Sequence, residues 1–528
     1  MWQTKNELIQ LHKRLVEVPS VTGTHGEIAQ AEMIQRELRS LPYFKTNGDH
    51  LRLHPTNDGR KFLTALVKKP GASRTVILLS HFDVVDVEDY GNFRHLAFMT
   101  EDLTKEYKTK LDNFPSAVTE DVNRGGEEWK FGRGSMDMKA GVALHMSMIE
   151  KAASGAFQGN VLMVSVPDEE VNSAGMLSAV PLLMDFKKRY GLEYCAVLNG
   201  EPMFQNIPDD PNKYIYTGSI GKVLPGFFCL GKETHVGEPY RGLNSNYMTA
   251  TLTGLMELNR TFCEEVEGER TPPPVNLIQK DYKEHYSVQT PHSSVCMFNV
   301  FYMKKPIRQL TKELLEIAHE AVGNIEKKYM DEGVTQKVNV FTFEELKQEA
   351  VRLHGEGEVR RRLDYLESKR GGTGDRDFTA SIVQDLSFLC KDLAPMIVLF
   401  YAPPFYPAVS SHHNKEIRRV AEEASRALES LCHSPVKVQQ YFNGMSDLSF
   451  VQINETEEEM EEFIQNVPMY QRGYALPFED IRDLQAPVLN IGPYGKDPHQ
   501  RTERVEAVYS FGILPEILEE SLHTLFRE

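Results

Sequence analysis

Five short segments of this chain carry side chains that hold divalent cations or move protons. In Ser80-His81-Phe82-Asp83 an imidazole and a carboxylate stand two positions apart, so an extended backbone points both to one side. The carboxylate can then accept the second ring N–H and orient the imidazole. Gly132 to Lys139 is a glycine-rich turn that reaches Asp137 where a helix begins, and Pro167-Asp168-Glu169-Glu170 sets three acids directly after an apolar run. Adjacent carboxylates at a sheet end are costly unless a cation or proton compensates them. Asn199-Gly200-Glu201-Pro202 repeats the pattern of a strand followed by an acid. The last segment, Gly492 to His499, ends on an imidazole expected at the start of the final helix, with Glu503 on the same helical face. Singly, each segment has a plainer reading: a solvated strand end, an N-terminal cap at Asp137, an acidic loop, a surface histidine. Together, two imidazoles and three or four carboxylates at strand ends fit a binuclear site for zinc, cobalt or manganese, ions that accept both donor types.

The elements that must position these groups read as an α/β protein. Two apolar-periodic helices, about 5–18 and 25–41, flank the turn Pro19 to Gly23. Strands follow at 62–69 and 75–85, the second a nearly continuous apolar run of the kind that is buried on both faces. A helix at about 137–154, a strand at 160–167, a helix after Ser173 and a strand at 194–200 continue an alternation that predicts a mostly parallel sheet. From about 215 to 342 the pattern changes to strand, helix, strand, helix, strand, which reads as a small inserted α+β domain. The apolar run 396–402, the helix 413–432 and the strands 436–442 and 486–491 read as a return to the first domain. The expected division is therefore 1–216 and 343–528 for the catalytic domain, with 217–342 inserted. In an open α/β sheet, ligands bind beyond the carboxyl ends of the strands, where these clusters fall.

Bulk properties narrow the function. A chain of 528 residues exceeds one ordinary core, and 41% hydrophobic with 26% charged residues is globular composition. A net charge of -17 disfavours nucleic acid and anionic membrane surfaces as partners. No run approaches the roughly 20 apolar residues of a membrane span, the first residues do not read as a signal peptide, and six scattered cysteines form no C-x-x-C pair. The expectation is a soluble cytoplasmic protein with reduced thiols.

The succession HFDVVD, GRGSMDMKAG, PDEEVNSAG, LNGEP and GPYGKDPH resembles, in that order, the M20 family of metallopeptidases and deacylases, and most of all its bacterial arginine-utilisation (RocB-type) subgroup. The resemblance implies a zinc-peptidase-like catalytic domain with helices flanking the sheet, and a lid or dimerisation domain built from the insertion. It implies two divalent ions, zinc or else cobalt or manganese, with His81, Asp137, Glu170, Glu201 and His499 as ligands. Asp137 would bridge, Asp83 would back His81, Glu169 would be the general base, and His235 of the lid would donate to the oxyanion, in its own subunit or from a homodimer partner. Asn244 and the turn Gly444, Ser446 and Asp447 would contact substrate. The lid strand carries Phe301 where many relatives place an arginine. The implied activity is amide hydrolysis of a small N-acyl amino acid or short peptide, linked to arginine or ornithine metabolism. A non-catalytic binding or regulatory member of the same fold is the alternative, and a protease of folded proteins is disfavoured because a lidded cleft suits small substrates.

Overall fold

The computed structural model describes residues 1–124, 128–204 and 210–527. The chain forms two compact units, one of Met1–Ile220, Val409–Ile453 and Pro477–Glu528, the other of Gly221–Ala408 and Asn454–Leu476.

The first unit is built on an eight-stranded sheet in the spatial order Leu51–Pro55, Lys61–Val67, Asn160–Val166, Arg74–His81, Glu193–Asn199, Val488–Asn490, Lys213–Tyr216, Val436–Gln439. Arg74–His81 runs parallel to both of its neighbours, as Val488–Asn490 does to Glu193–Asn199 and Val436–Gln439 to Lys213–Tyr216, while the other pairs are antiparallel. The expected α/β class with helices flanking a central sheet is what the chain forms, and the sheet is mixed. Its central strands are buried along nearly their whole length, which explains their unbroken apolar sequences. The helix Lys139–Ala153 is buried on almost every side, whereas Lys415–Cys432 buries only Ile417, Val420, Ala421, Ala424 and Leu428, a single stripe. Asn414 starts that helix by accepting the backbone N–H groups of Glu416 and Ile417.

Within this unit the stretch 84–130, of which 125–127 lie outside the described residues, contributes the helices Thr100–Lys108 and Ser116–Arg124. It leads into Trp129–Phe131, which pairs with Arg504–Glu506, itself paired with Gly495–Lys496. This small sheet corrects one expectation. His499 lies in the turn between Gly495–Lys496 and Arg504–Glu506 at φ 60, not at the start of the final helix, Leu514–Phe526. The proline of Asp497-Pro498-His499 and the left-handed backbone at Asp497 and His499 suit a turn rather than a helix entry.

The second unit has a five-stranded sheet ordered Val275–Asp281, Ser293–Tyr302, Gly221–Leu230, Met396–Tyr406, Asn339–Thr342. Here the expected return to the catalytic domain at 343 is overturned. Met396–Tyr406 is an interior strand of this second sheet, antiparallel to Gly221–Leu230 and parallel to Asn339–Thr342, so 343–408 stays in the second unit and the return comes at Val409. An unbroken apolar run marks a buried strand but carries no mark of which sheet it joins.

Candidate metal centre

His81 closes the strand Arg74–His81, and Asp83 follows in the turn beyond it. Both are buried. The ring Nδ1 of His81 lies 3.1 Å from the backbone oxygen of Asp83 and 3.5 Å from its carboxylate, which leaves Nε2 facing Asp137 Oδ1 at 3.2 Å, Glu201 Oε1 at 3.5 Å and Glu169 Oε2 at 3.8 Å. Asp83 has a second task that its spacing did not announce. Its two carboxylate oxygens accept the backbone N–H groups of Glu169 and Glu170, at 3.1 and 3.3 Å, and Thr22 donates to one of them at 2.8 Å. The same side chain thus backs the histidine and fixes the turn that carries the two glutamates.

The three consecutive acids divide their roles. Asp168, at φ 71, turns away, receives Arg60 at 2.7 Å and accepts the backbone N–H of Ala174 at the start of the helix Ala174–Tyr190. Glu169 and Glu170 remain at the site. Glu170 Oε1 lies 3.1 Å from His499 Nε2, which is also 3.3 Å from Asp137 Oδ2. Asp137 therefore stands between the two histidines, one oxygen toward each.

Two glycines permit this crowding. A Cβ on Gly141, in the first turn of the helix after Asp137, would come within 2.3 Å of the Gly200 oxygen, and one on Gly492 within 1.8 Å of the Glu201 oxygen. Asn490 donates to that same Glu201 oxygen at 2.9 Å.

Three groups of donor atoms each fall within 4.8 Å of one another: His81 with Asp137 and Glu201, Asp137 with Glu170 and His499, and His81 with Glu169 and Glu170. The electrostatics follow from this density. Burial, reinforced by neighbouring carboxylates, raises Glu169 and Glu170, and pushes Glu201 up to about 7. Burial opposes a charged His81, but Glu201, Asp137 and Asp83 reverse that and hold it well above the usual range. Burial likewise opposes a charged Asp137, and the two histidines bring it below the ordinary aspartate value. A divalent cation relieves the mutual repulsion of these acids, and imidazole with carboxylate is a donor set that zinc, cobalt and manganese accept. The residues fit such ions.

Of the remaining expected site residues, Ser446 and Asp447 are buried in the same unit, with Gly444 beside them. Ser446 Oγ accepts from Asn199 Nδ2 at 2.8 Å and caps the short helix Asp447–Phe450. Burial, aided by Asp83 and Glu201, pushes Asp447 up to about 8. In the second unit Asn244 caps the helix Ser245–Met256 through its side chain. His235 is exposed, and its Nδ1 accepts the backbone N–H of Gly237. Phe301 pairs across the sheet with the buried Lys222. Sequence reasoning did not find Arg60, Arg133 or Arg504, each of which pairs with a carboxylate far along the chain, Asp168, Glu503 and Asp121 respectively.

Residues 77–507 match the model of peptidase family M20/M25/M40. The chain is 48% identical over 538 residues to the uncharacterized protein YqjN of Bacillus subtilis, covering 100% of this chain and 98% of that one. It is 33% identical over 535 residues to protein RocB of the same organism, covering 96% and 93%. The crystal structure of an M20 family metallo-carboxypeptidase from Sulfolobus solfataricus shares the fold, with a TM-score of 0.55 at 11% identity over 98% of this chain and 99% of the other.

Proposed function

Because the chain belongs to peptidase family M20/M25/M40 and is a metal-dependent hydrolase of that family, we propose that it uses two divalent ions to cleave the amide bond of a small N-acyl amino acid or short peptide. The observation that carries this reading is the pair of donor groups joined at Asp137: His81, Asp137 and Glu201 on one side, Asp137, Glu170 and His499 on the other.

Divalent cations held there supply Lewis acidity to a carbonyl and to water. The remaining work falls to the protein. Asp83 orients His81 and holds the Glu169–Glu170 turn. Glu169, buried with its carboxylate facing His81, takes the proton of the attacking water and delivers it to the leaving nitrogen. His235 serves as oxyanion donor, from its own chain or from a homodimer partner, a role that rests on resemblance to the family. Asn244, Gly444, Ser446 and Asp447 contact the substrate in this reading. Zinc is the proposed ion, with cobalt or manganese as substitutes, and the link to arginine or ornithine metabolism rests on likeness to the RocB-type subgroup. A cytoplasmic, reducing location is supported by six cysteines that are all free; no helix among the described residues is long and apolar enough to cross a membrane.

The test is metal analysis coupled to a screen of acylated amino acids and dipeptides, run with zinc, cobalt and manganese. Two ions per chain and turnover of one substrate class are expected. Less than one ion per chain after supplementation, with no amide hydrolysed, favours a binding role on the same fold.

A further inference from the structure

His81 has Asp83 behind its ring, whereas among the described residues no hydrogen bond backs the Nδ1 of His499, and half of that side chain is exposed. The position of His499 therefore depends on its turn. That turn is held by Arg504, which is 1% exposed. Nη1 of Arg504 donates to Asp497 Oδ2 at 2.5 Å and to the Thr502 oxygen at 2.9 Å, so both ends of the turn meet one guanidinium. Thr502 Oγ1 adds a bond to the same Asp497 oxygen at 2.8 Å. The other side of the fork reaches Asp121, at 2.9 Å from Nε and 2.8 Å from Nη2, with the guanidinium packed over Trp129 and Phe131. Asp121 lies on the helix Ser116–Arg124, and the neighbouring helix supplies a further tie, from Tyr107 Oη to the Arg501 oxygen at 2.5 Å.

The preceding residue, Glu503, is fully buried and serves the other ligand loop. Its Oε1 accepts the backbone N–H groups of Met136 and Asp137, at 3.0 and 3.2 Å, and its Oε2 pairs with Arg133 at 3.0 Å. Arg133 is tied in turn to the Asp86 oxygen and to Asp89. Two adjacent residues of opposite charge thus grip the loops that carry Asp137 and His499.

Resting on the two-ion reading above, we propose that Glu503 and Arg504 are positioning residues that set the spacing of Asp137 and His499, and that the helical excursion anchors this device through Asp121 and Tyr107. The excursion then acts on ion binding without contributing a ligand. Partners that orient ligands typically change metal affinity roughly 10- to 100-fold when altered.

The experiment titrates the metal-free full chain with Co²⁺, by equilibrium dialysis and visible absorption, for wild type, Asp121→Asn, Arg504→Lys and Tyr107→Phe. In Asp121→Asn and Arg504→Lys one ion should bind as in wild type, while the other weakens roughly 10- to 100-fold with an altered absorption band. Tyr107→Phe leaves every buried charge in place and loses one hydrogen bond, so the same ion should weaken about fivefold. Wild-type affinity and an unchanged band for both ions in Tyr107→Phe and in whichever charge variants fold overturn the proposal. Equal weakening of both ions overturns it too, because that is the signature of general loosening. A wild-type chain that binds less than one Co²⁺ refutes the underlying two-ion reading instead, and is seen before any variant is compared.

Discussion

Nε2 of His499 lies 3.3 Å from Oδ2 of Asp137, while the other oxygen of that carboxylate faces His81 at 3.2 Å. One carboxylate is thereby shared by two donor groups. Replacing Asp137 with Ala should cost both ions, not one, and elemental analysis of the purified variant decides it. Retention of two ions per chain would remove Asp137 from its bridging place.

Glu169 is adjacent to Glu170 yet lies toward His81, not His499. Glu169→Gln keeps the side-chain shape and removes the base. Bound metal should stay at the wild-type level while kcat falls roughly 100- to 10,000-fold. Unchanged kcat on the best amide substrate ends the assignment.

Asp83 accepts two backbone N–H groups from the glutamate turn and stands behind His81. Asp83→Ala leaves these buried donors unpaired, a loss of about 1 to 3 kcal/mol for each group left without a partner. The variant should therefore lose thermal stability and metal affinity together. Thr22→Val, which removes only the hydroxyl bond to Asp83, should show the same pattern in weaker form. An Asp83→Ala protein with normal Tm and normal metal content contradicts this account.

Two fully buried histidines predict sensitivity to acid. Burial pushes His12 down to about 4, with its Nε2 at 2.8 Å from the Ser135 oxygen, and His145 down to about 3. Between these values and the ordinary 6.5 the unfolded chain binds protons that the folded chain refuses, so stability is full above about pH 6.5 and declines as pH falls toward 4. Each histidine contributes a slope of up to about 1.4 kcal/mol per pH unit. His12→Gln keeps an N–H for Ser135 and cannot take up a proton, so the urea midpoint of the chelated variant should fall less steeply from pH 6.5 to pH 4. Parallel pH curves for variant and wild type would show that His12 carries none of the effect.

His235→Ala should lower turnover and leave metal content intact. Wild-type kcat in that variant closes the oxyanion proposal.

Much of the centre was legible because each ligand candidate follows an apolar strand or a glycine turn, signals that local sequence carries. His81, Glu170 and Glu201 announce themselves in that way, and the structure draws them together with Asp137 and His499. What was not legible is long-range. The run Met396–Tyr406 reads as buried strand in any context, and only its pairing with Gly221–Leu230 assigns it to the second unit. The exit of Asp168 from the acidic triplet depends on Arg60, and the grip of Arg504 depends on Asp121. No periodicity encodes such partners. The spacing of His499 to Glu503 suits a helical turn equally well, whereas in the structure His499 lies in the turn joining two strands of a three-stranded sheet.

The hydrogen bond between His499 and Glu170 joins positions 329 residues apart. During synthesis at about 5–20 residues per second, the strand that ends at His81 and those that lead to Glu170 and Glu201 leave the ribosome long before His499 exists. The donor group of His81, Asp137 and Glu201 is thus complete in sequence by residue 201, whereas the group of Asp137, Glu170 and His499 is complete only once the turn at 497–502 has been translated.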